Sequence, residues 1–446
     1  MRIILNVTKM LHKMNILYGI YTLLNTAFVS TITLPFLIYT YINGKYRTNF
    51  KERLGCVSSK IIPHIKGSSL VWIHAVSLGE IRVAGSIIAS LKSLTPNCSI
   101  ILSTTTEHGR KLAGDLLDDG IPVIYGPVDY IVSVRKILKR INPEIMVFLE
   151  TEIWPAWITE ARRLGIKTVL VNGRISPRSF KKYLRFKPFF KKVLNNIDHF
   201  SMISEIDMSR MSAIGVDPDI MMVNGNAKYD MIIDHADSKI KEDMGKRLNI
   251  DSLNRVIIAG STRTGEEIVL LKAYRSIIAE FPDTILIIAP RHLERVKEIC
   301  SLLEDHNFKY ELISAIDGEN SIRKENILIV DSYGELFGIY SIGSIAFCGA
   351  SLVPLGGQNP FEPAVWGVPV IYGPHMEDFL DAKVLLEKYG GGAEIKEHED
   401  LAEKVKDLLR DISTMKKMGE NAKKALMENR DASLRHARAI AELLNE

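Results

Sequence analysis

The feature that most constrains this chain is a recurring alternation of two patterns. Short apolar runs of strand length are separated by segments with helical spacing, as in a parallel sheet covered by helices. The first series reads SLVWIH (69–74), SIILST (99–104), IPVIYG (121–126), EIMVFLE (144–150), IKTVLVN (166–172), HFSMIS (199–204) and DIMMVNG (219–225). A polar, charged stretch at 231–254 follows. The second series is RVIIAG (255–260), TILIIAP (284–290), KYELIS (309–314), NILIVDS (326–332), SIAFCGA (344–350) and VPVIYG (368–373). Each series has the length of an ordinary α/β domain. The expectation is two doubly wound, Rossmann-like domains joined by one linker, with the carboxyl ends of both sheets able to face a cleft. A long last helix, near Ile412–Leu444, has the length to reach back over the domain junction.

Composition narrows the function. A net charge of +4 with no long basic run argues against nucleic acid, and suits an anionic membrane or a phosphorylated substrate. Four scattered cysteines, Cys56, Cys98, Cys300 and Cys348, suggest neither a disulfide framework nor a zinc site. Clustered His and Cys ligands are missing from the pattern, so no metal site is expected. From Met14 to Gly44 there is no charged residue. That exceeds the roughly 20 residues of a membrane span and the apolar core of a signal peptide. Asn15, Asn25 and Pro35 interrupt it, and cations flank both ends. Residues 1–44 therefore read as an uncleaved anchor that spans the bilayer or lies partly in its interface.

Several motifs carry chemistry. In VWIHAVSLGEIRVA a strand ends, a glycine turn follows, and Glu80 stands in the first turn of a helix. Dipole stabilisation accounts for such a residue. A carboxylate at the carboxyl end of a parallel strand is also placed to act as a base. FLETEIWP ends another strand with Glu150 and Glu152, and Lys228 in GNAKYD is a candidate ion-pair partner or a cation for a leaving phosphate. AGSTRTGEE has the glycine spacing of a P-loop, Gly260 to Gly265, but Glu266 and Glu267 replace its Lys-Ser/Thr pair, which argues against an ATPase. Its helix-start amides still suit phosphate, with Ser261, Thr262 and Arg263 to assist. In APRH, Arg291 can meet a phosphate or a neighbouring carboxylate. In GGQNPFEPAVWGVP, Asn359 can cap a helix whose Glu362 accepts from ribose hydroxyls or stabilises the dipole. RISPRSFKKYLRFKPFFKK mixes cations with aromatic residues and has no acid, a solvated face or a surface for anionic lipid.

Together YRTNFKERLG, WIHAVSLGE, LSTTTEHG, LETEIWP, VNGRIS, GNAKYD, AGSTRTGE, APRH, YGEL and GGQNPFEP resemble the 3-deoxy-D-manno-octulosonic acid (Kdo) transferases of lipopolysaccharide synthesis, in order along the whole chain. The resemblance implies a GT-B fold with an anchor at 1–44, an acceptor-binding domain at 45–230, a linker at 231–254 and a donor-binding domain at 255–446. It implies CMP-Kdo as donor, the lipid A precursor (lipid IVA) as acceptor, no separate cofactor or metal, and work at the cytoplasmic face of the inner membrane. By position in the motifs, Glu80 corresponds to the general base, and Glu150 and Lys228 to transition-state stabilisers. Ser261, Pro290, Arg291, Tyr333, Gly334, Glu335, Asn359, Pro360, Phe361 and Glu362 correspond to the CMP site. Rival readings are a UDP-sugar transferase or epimerase, and a catalytically silent, tethered lipid- or nucleotide-binding protein.

Overall fold

The computed structural model describes residues 16–43, 50–58, 69–251, 253–316, 323–397 and 399–445. The chain divides into two compact units, Met1–Lys228 with Asp431–Glu446, and Tyr229–Arg430.

The first unit is built on seven strands: β1 Leu70–His74, β2 Ser99–Thr104, β3 Val123–Tyr125, β4 Ile145–Leu149, β5 Lys167–Gly173, β6 His199–Met202 and β7 Met221–Val223. Their order across the sheet is β3-β2-β1-β4-β5-β6-β7, and every neighbouring pair is parallel. β1 and β4 are buried along their whole length because helices cover both faces, which is why they read as unbroken apolar runs. Trp72, Phe148, Trp157 and Phe200 fill the core on one side. YRTNFKERLG is tied to this sheet: the buried Glu52 accepts from Tyr125 N–H and Arg110, each at 3.0 Å, and Arg53 donates to Thr105 O at 2.7 Å.

The second unit repeats the plan with β8 Val256–Thr262, β9 Ile285–Pro290, β10 Glu311–Leu312, β11 Ile327–Ile329, β12 Ile345–Cys348, β13 Val370–Tyr372 and β14 Gly392–Glu394. The order is β10-β11-β9-β8-β12-β13-β14, again all parallel. The KYELIS run yields only the two-residue β10 before a 3₁₀ turn at Ile313–Ile316.

Three expectations meet a different outcome. The 231–254 stretch is no loose linker: it carries most of helix Ala227–His235 and all of helix Ser238–Leu248, whose Leu248 is fully buried in the second unit. The single long last helix is two, Ile412–Met427 and Ala432–Asn445, parted where Asp431 takes a left-handed φ of 63°. The second of them packs on helix Leu78–Leu94 of the first unit, where Ser86 donates to Ser433 at 2.9 Å.

The third concerns the anchor. Ile16–Asn43 is helical, but among the described residues no helix is long and apolar enough to cross a membrane. Residues 1–15 and 44 of the expected anchor lie outside the described residues. Two polar residues within the described part of the segment, Tyr21 and Asn25, are used for docking. Tyr21 donates to the Asp129 carboxylate, and Asn25 donates to Asp129 O at 2.8 Å. Asp129 also caps helix Pro155–Leu164, accepting from Ala156 N–H at 3.0 Å. Burial pushes its carboxyl up to about 6.

His436 fastens the last helix. Its Nε2 lies 2.9 Å from Gly225 O, and its Nδ1 lies 2.6 Å from Ser201 Oγ and accepts from Asn172 N–H. Burial lowers its pKa to about 4, so it folds as the neutral ring. An unfolded histidine titrates near 6.5. As pH falls from about 6.5 to about 4 the unfolded chain binds a proton that the folded chain refuses, and stability is lost. Urea unfolding of the parent and of His436→Gln at pH 7 and pH 5 measures this. The acid-induced loss should be smaller in the variant by roughly 2 kcal/mol at most.

Candidate active site

In a parallel sheet all carboxyl ends lie on one edge, and the first unit uses that edge to gather charge. β1 and β4 are neighbours, with His74 opposite Phe148, and β4 pairs with β5, with Leu149 opposite Val171. Residues that leave these strands therefore meet although they are far apart in sequence.

Ser77 is the N-cap of helix Leu78–Leu94. Its Oγ accepts from Glu80 N–H at 3.2 Å and donates to Glu80 Oε1 at 2.9 Å, while Val76 N–H donates to Oε2 at 2.8 Å. This is a close relative of the capping box. Glu80 is thereby fixed with 8% of its surface exposed, and among the described residues no cation forms an ion pair with it. Burial, with Glu150's charge adding, raises its pKa above the ordinary carboxylate range, against the Val76 and Ser77 bonds.

Glu150 follows β4 in the left-handed region, at φ 51°, a strained conformation for a residue with a long side chain. Its N–H still continues the ladder to Val171 O at 3.0 Å, so the turn begins at this residue. Its carboxylate forms a close ion pair with Lys228 Nζ. Lys228 stands at the start of helix Ala227–His235. That start is held by Asn172 Oδ1, which accepts from Ala227 N–H at 2.9 Å, and by Asn226 Oδ1, which accepts from Lys228 N–H at 3.1 Å. A Cβ on Gly79 would lie 3.9 Å from Lys228 Cε, so the glycine turn before Glu80 borders the lysine stem. Glu80, Glu150 and Lys228 are thus brought together.

Glu152 joins them and was underread in the sequence. Trp154 Nε1 donates to its Oε2 at 2.6 Å. Burial and then the charges of Glu80 and Glu150 push its pKa up to about 7. His74 lies beneath this edge, its ring tilted against Trp157 at 4.6 Å between centroids, and burial lowers its pKa to about 4. Among the described residues no group of three His, Cys, Asp or Glu side chains is arranged to hold a metal.

In the second unit the expected donor segments share the carboxyl edge of its sheet. Ser261 lies near the end of β8 with φ 56°, and Arg291, just past Pro290 at the end of β9, donates its N–H to Thr262 O at 3.1 Å. Tyr333 is 74% exposed beside Gly334, which has a left-handed φ of 88°. The Glu335 carboxylate pairs with Arg247 at 2.5 Å. Asn359 Oδ1 accepts from Phe361 N–H at 3.1 Å and shapes the turn through Pro360 into helix Phe361–Ala364. Burial raises Glu362 to about 7, opposed by the nearby Arg291 charge, which places these two motifs side by side.

The P-loop-like turn carries its own anion. Buried Glu266 accepts from Arg263 N–H (2.9 Å), Ala350 N–H (2.7 Å), Ser351 N–H (3.0 Å) and Leu352 N–H (3.0 Å). Glu267 pairs with Arg295 at 2.6 Å. Of the two carboxylates that replace Lys-Ser/Thr, Glu266 therefore braces the loop after β12 and Glu267 the turn after β9.

The family described as 3-Deoxy-D-manno-octulosonic-acid transferase (kdotransferase) matches residues 48–231. A bifunctional glycosyltransferase/methyltransferase of Fusobacterium nucleatum is 34% identical over 78% of this chain, which spans only 53% of that relative's length. A glycosyltransferase of Rickettsia africae superposes with a TM-score of 0.58 at 17% identity, covering 85% of this chain and 99% of its own, a likeness that shows a GT-B-type fold. The 3-deoxy-D-manno-octulosonic acid transferase of Haemophilus influenzae is 30% identical over 87% of this chain and 90% of its own. At that identity over nearly the whole of a relative, the chain belongs to the 3-deoxy-D-manno-octulosonic acid transferases, the glycosyltransferases that add Kdo in lipopolysaccharide synthesis.

Proposed function

We propose that this protein moves Kdo from CMP-Kdo to a hydroxyl of the lipid A precursor lipid IVA, with inversion and without a metal. The observation that carries the reading is the Glu80–Glu150–Lys228 group at the carboxyl edge of the first sheet. Glu80 is the general base. Each of its oxygens accepts one local bond and keeps a lone pair for an incoming hydroxyl. Burial raises its proton affinity, which strengthens it as a base. The acceptor oxygen bonds to the anomeric carbon of Kdo, the bond from that carbon to the phosphate oxygen breaks, and the hydroxyl proton passes to Glu80. CMP departs as the phosphate monoester. Lys228, paired with Glu150, supplies positive charge to this step, and Glu150 holds the ammonium in place. Ser261, Pro290, Arg291, Tyr333, Gly334, Glu335 and Asn359–Glu362 form the CMP site, with Glu362 receiving the ribose hydroxyls.

The protein works at the cytoplasmic face of the inner membrane. The Ile16–Asn43 helix tethers it there by lying in the interface, a reading supported by exposed Ile20, Leu23, Leu24 and Phe28. The basic segment 174–192 supports a membrane-facing surface. Phe180, Tyr183, Phe189 and Phe190 pack on the core, and Phe186 stays 58% exposed among the lysines.

Incubating the purified chain with CMP-Kdo and lipid IVA, and weighing the lipid, tests the reading. A product heavier by Kdo with release of CMP, undiminished by EDTA, is expected; release of UDP from a UDP-sugar would replace it. Glu80→Gln should lower kcat by at least about 10²-fold while CMP affinity stays unchanged. Equal loss of both would mark a purely structural cap. Lys228→Ala should lower kcat by roughly 10²-fold with little change in KM for the donor. Because protonated Glu80 accepts no proton, kcat/KM should fall as pH falls, with its acid limb above the ordinary carboxylate value of about 4.3. A limb at or below that value would remove Glu80 from the base role.

A further inference from the structure

A cavity lies in the first unit between the Ile16–Asn43 helix and the helices Ile131–Ile141, Pro155–Leu164 and Lys187–Leu194. Its volume is about 1440 Å³. That exceeds the roughly 300–1,000 Å³ of ordinary small-molecule sites. Leu23, Ala27, Ile131 and Val193 give it apolar wall. Arg135, Arg162, Arg163 and Lys192 also line it, against the single carboxylate of Glu160. Glu160 is only 2% exposed and is shared: Arg135 pairs with it at 2.5 Å and Arg163 stands at 3.9 Å. One carboxylate facing two guanidinium groups leaves the wall positive. Arg162 reaches Asp198, which precedes β6 and accepts from Thr168 N–H near the start of β5.

Those contacts fix where the cavity lies. Arg162 and Arg163 sit in the last turn of helix Pro155–Leu164, whereas Glu150, Glu152 and Trp154 lead into its first turn. A ten-residue helix is about 15 Å long. The cations therefore stand at the amino edge of the sheet, and the catalytic carboxylates at its carboxyl edge. A molecule held by those arginines is not presented to Glu80, so the acceptor sugar is a poor fit to this place. The apolar wall excludes a bare phosphate or nucleotide as the main occupant. The same helix that roofs the cavity exposes Ile20, Leu24 and Phe28, so its apolar face continues outward.

We propose that this cavity binds one anionic glycerophospholipid, its phosphate against Arg162, Arg163 and Lys192 and its acyl chains along Leu23, Ala27, Ile131 and Val193. The lipid fills the space under the Ile16–Asn43 helix and fastens that helix to the first unit. It acts as a bound structural ligand, apart from the reacting acceptor, and the assignment stands whether or not the catalytic roles above hold.

The test uses the full chain, delipidated in non-ionic detergent and titrated with dioleoylphosphatidylglycerol or dioleoylphosphatidylcholine under native mass spectrometry. One phosphatidylglycerol per chain is expected, bound at least about tenfold more tightly than phosphatidylcholine. Arg162→Ala with Arg163→Ala should weaken phosphatidylglycerol about 10- to 100-fold, the value of charge-assisted bonds to phosphate. Ala27→Trp fills the cavity with every cation left in place, and should abolish binding of both lipids. Circular dichroism establishes that each variant is folded. Equal affinity for the two lipids, or parental binding in folded Ala27→Trp, overturns the proposal. Stoichiometric displacement of phosphatidylglycerol by lipid IVA also overturns it, since the cavity would then be an acceptor site.

Discussion

The ion pair between Glu150 and Lys228 is the interaction on which the candidate site depends. Glu150 lies outside regular structure and Lys228 in the first turn of a helix. Glu150 leaves β4 in a left-handed conformation that costs of order 1 kcal/mol or more, and Lys228 opens a helix held by two asparagine side chains. Such strain persists only where the surroundings over-determine it. Here the ladder bond from Glu150 to Val171 holds one side, and Asn172, at the end of the same β5 strand, holds the other. β5 thus acts as a common ruler for an acid and a base more than seventy positions apart. His436 adds a second support, since it bonds Gly225 O at the start of GNAKYD and receives the N–H of Asn172.

In the role proposed for Glu80, structure and chemistry need not compete. The bonds from Val76 and Ser77 make it a helix-start residue in the ordinary sense. They also fix its two oxygens at a strand end without a counter-charge in direct contact. A salt bridge would have lowered its proton affinity; burial near Glu150 raises it. The cap therefore supplies orientation, and burial beside Glu150 raises basicity against the opposing charge of Lys228.

What was legible in the sequence is what local pattern controls. Two parallel sheets follow from apolar runs buried on both faces, and the site residues follow from their places just after strands, where the topology gathers them. Less local features were hidden. The break at Asp431 depends on one left-handed residue inside a helical pattern, and the return of Ala432–Asn445 to the first unit depends on a buried histidine 235 positions from Ser201. An uncharged stretch of helical length does not say whether lipid or protein will cover it, and Tyr21 and Asn25 find Asp129 only in three dimensions. Glu152 was visible beside Glu150, but its upward shift needs the charge of Glu80, which no linear reading supplies.

The second unit makes a related point about glycine-rich turns. Four backbone amides converging on one spot are the usual recipe for a phosphate site. Here they converge on Glu266, an anion that the chain supplies itself. The amides of 350–352 are thereby spent in orienting the loop after β12, and that loop leads through left-handed Gly356 and Gly357 to Asn359 and Glu362. An external phosphate at this turn would have to displace a buried carboxylate with four bonds. The cations of the neighbouring strand end, with Arg291 against Glu362, leave a less costly place for it. In the donor site proposed above, anion recognition accordingly falls to the edge beside this turn and not to the turn itself.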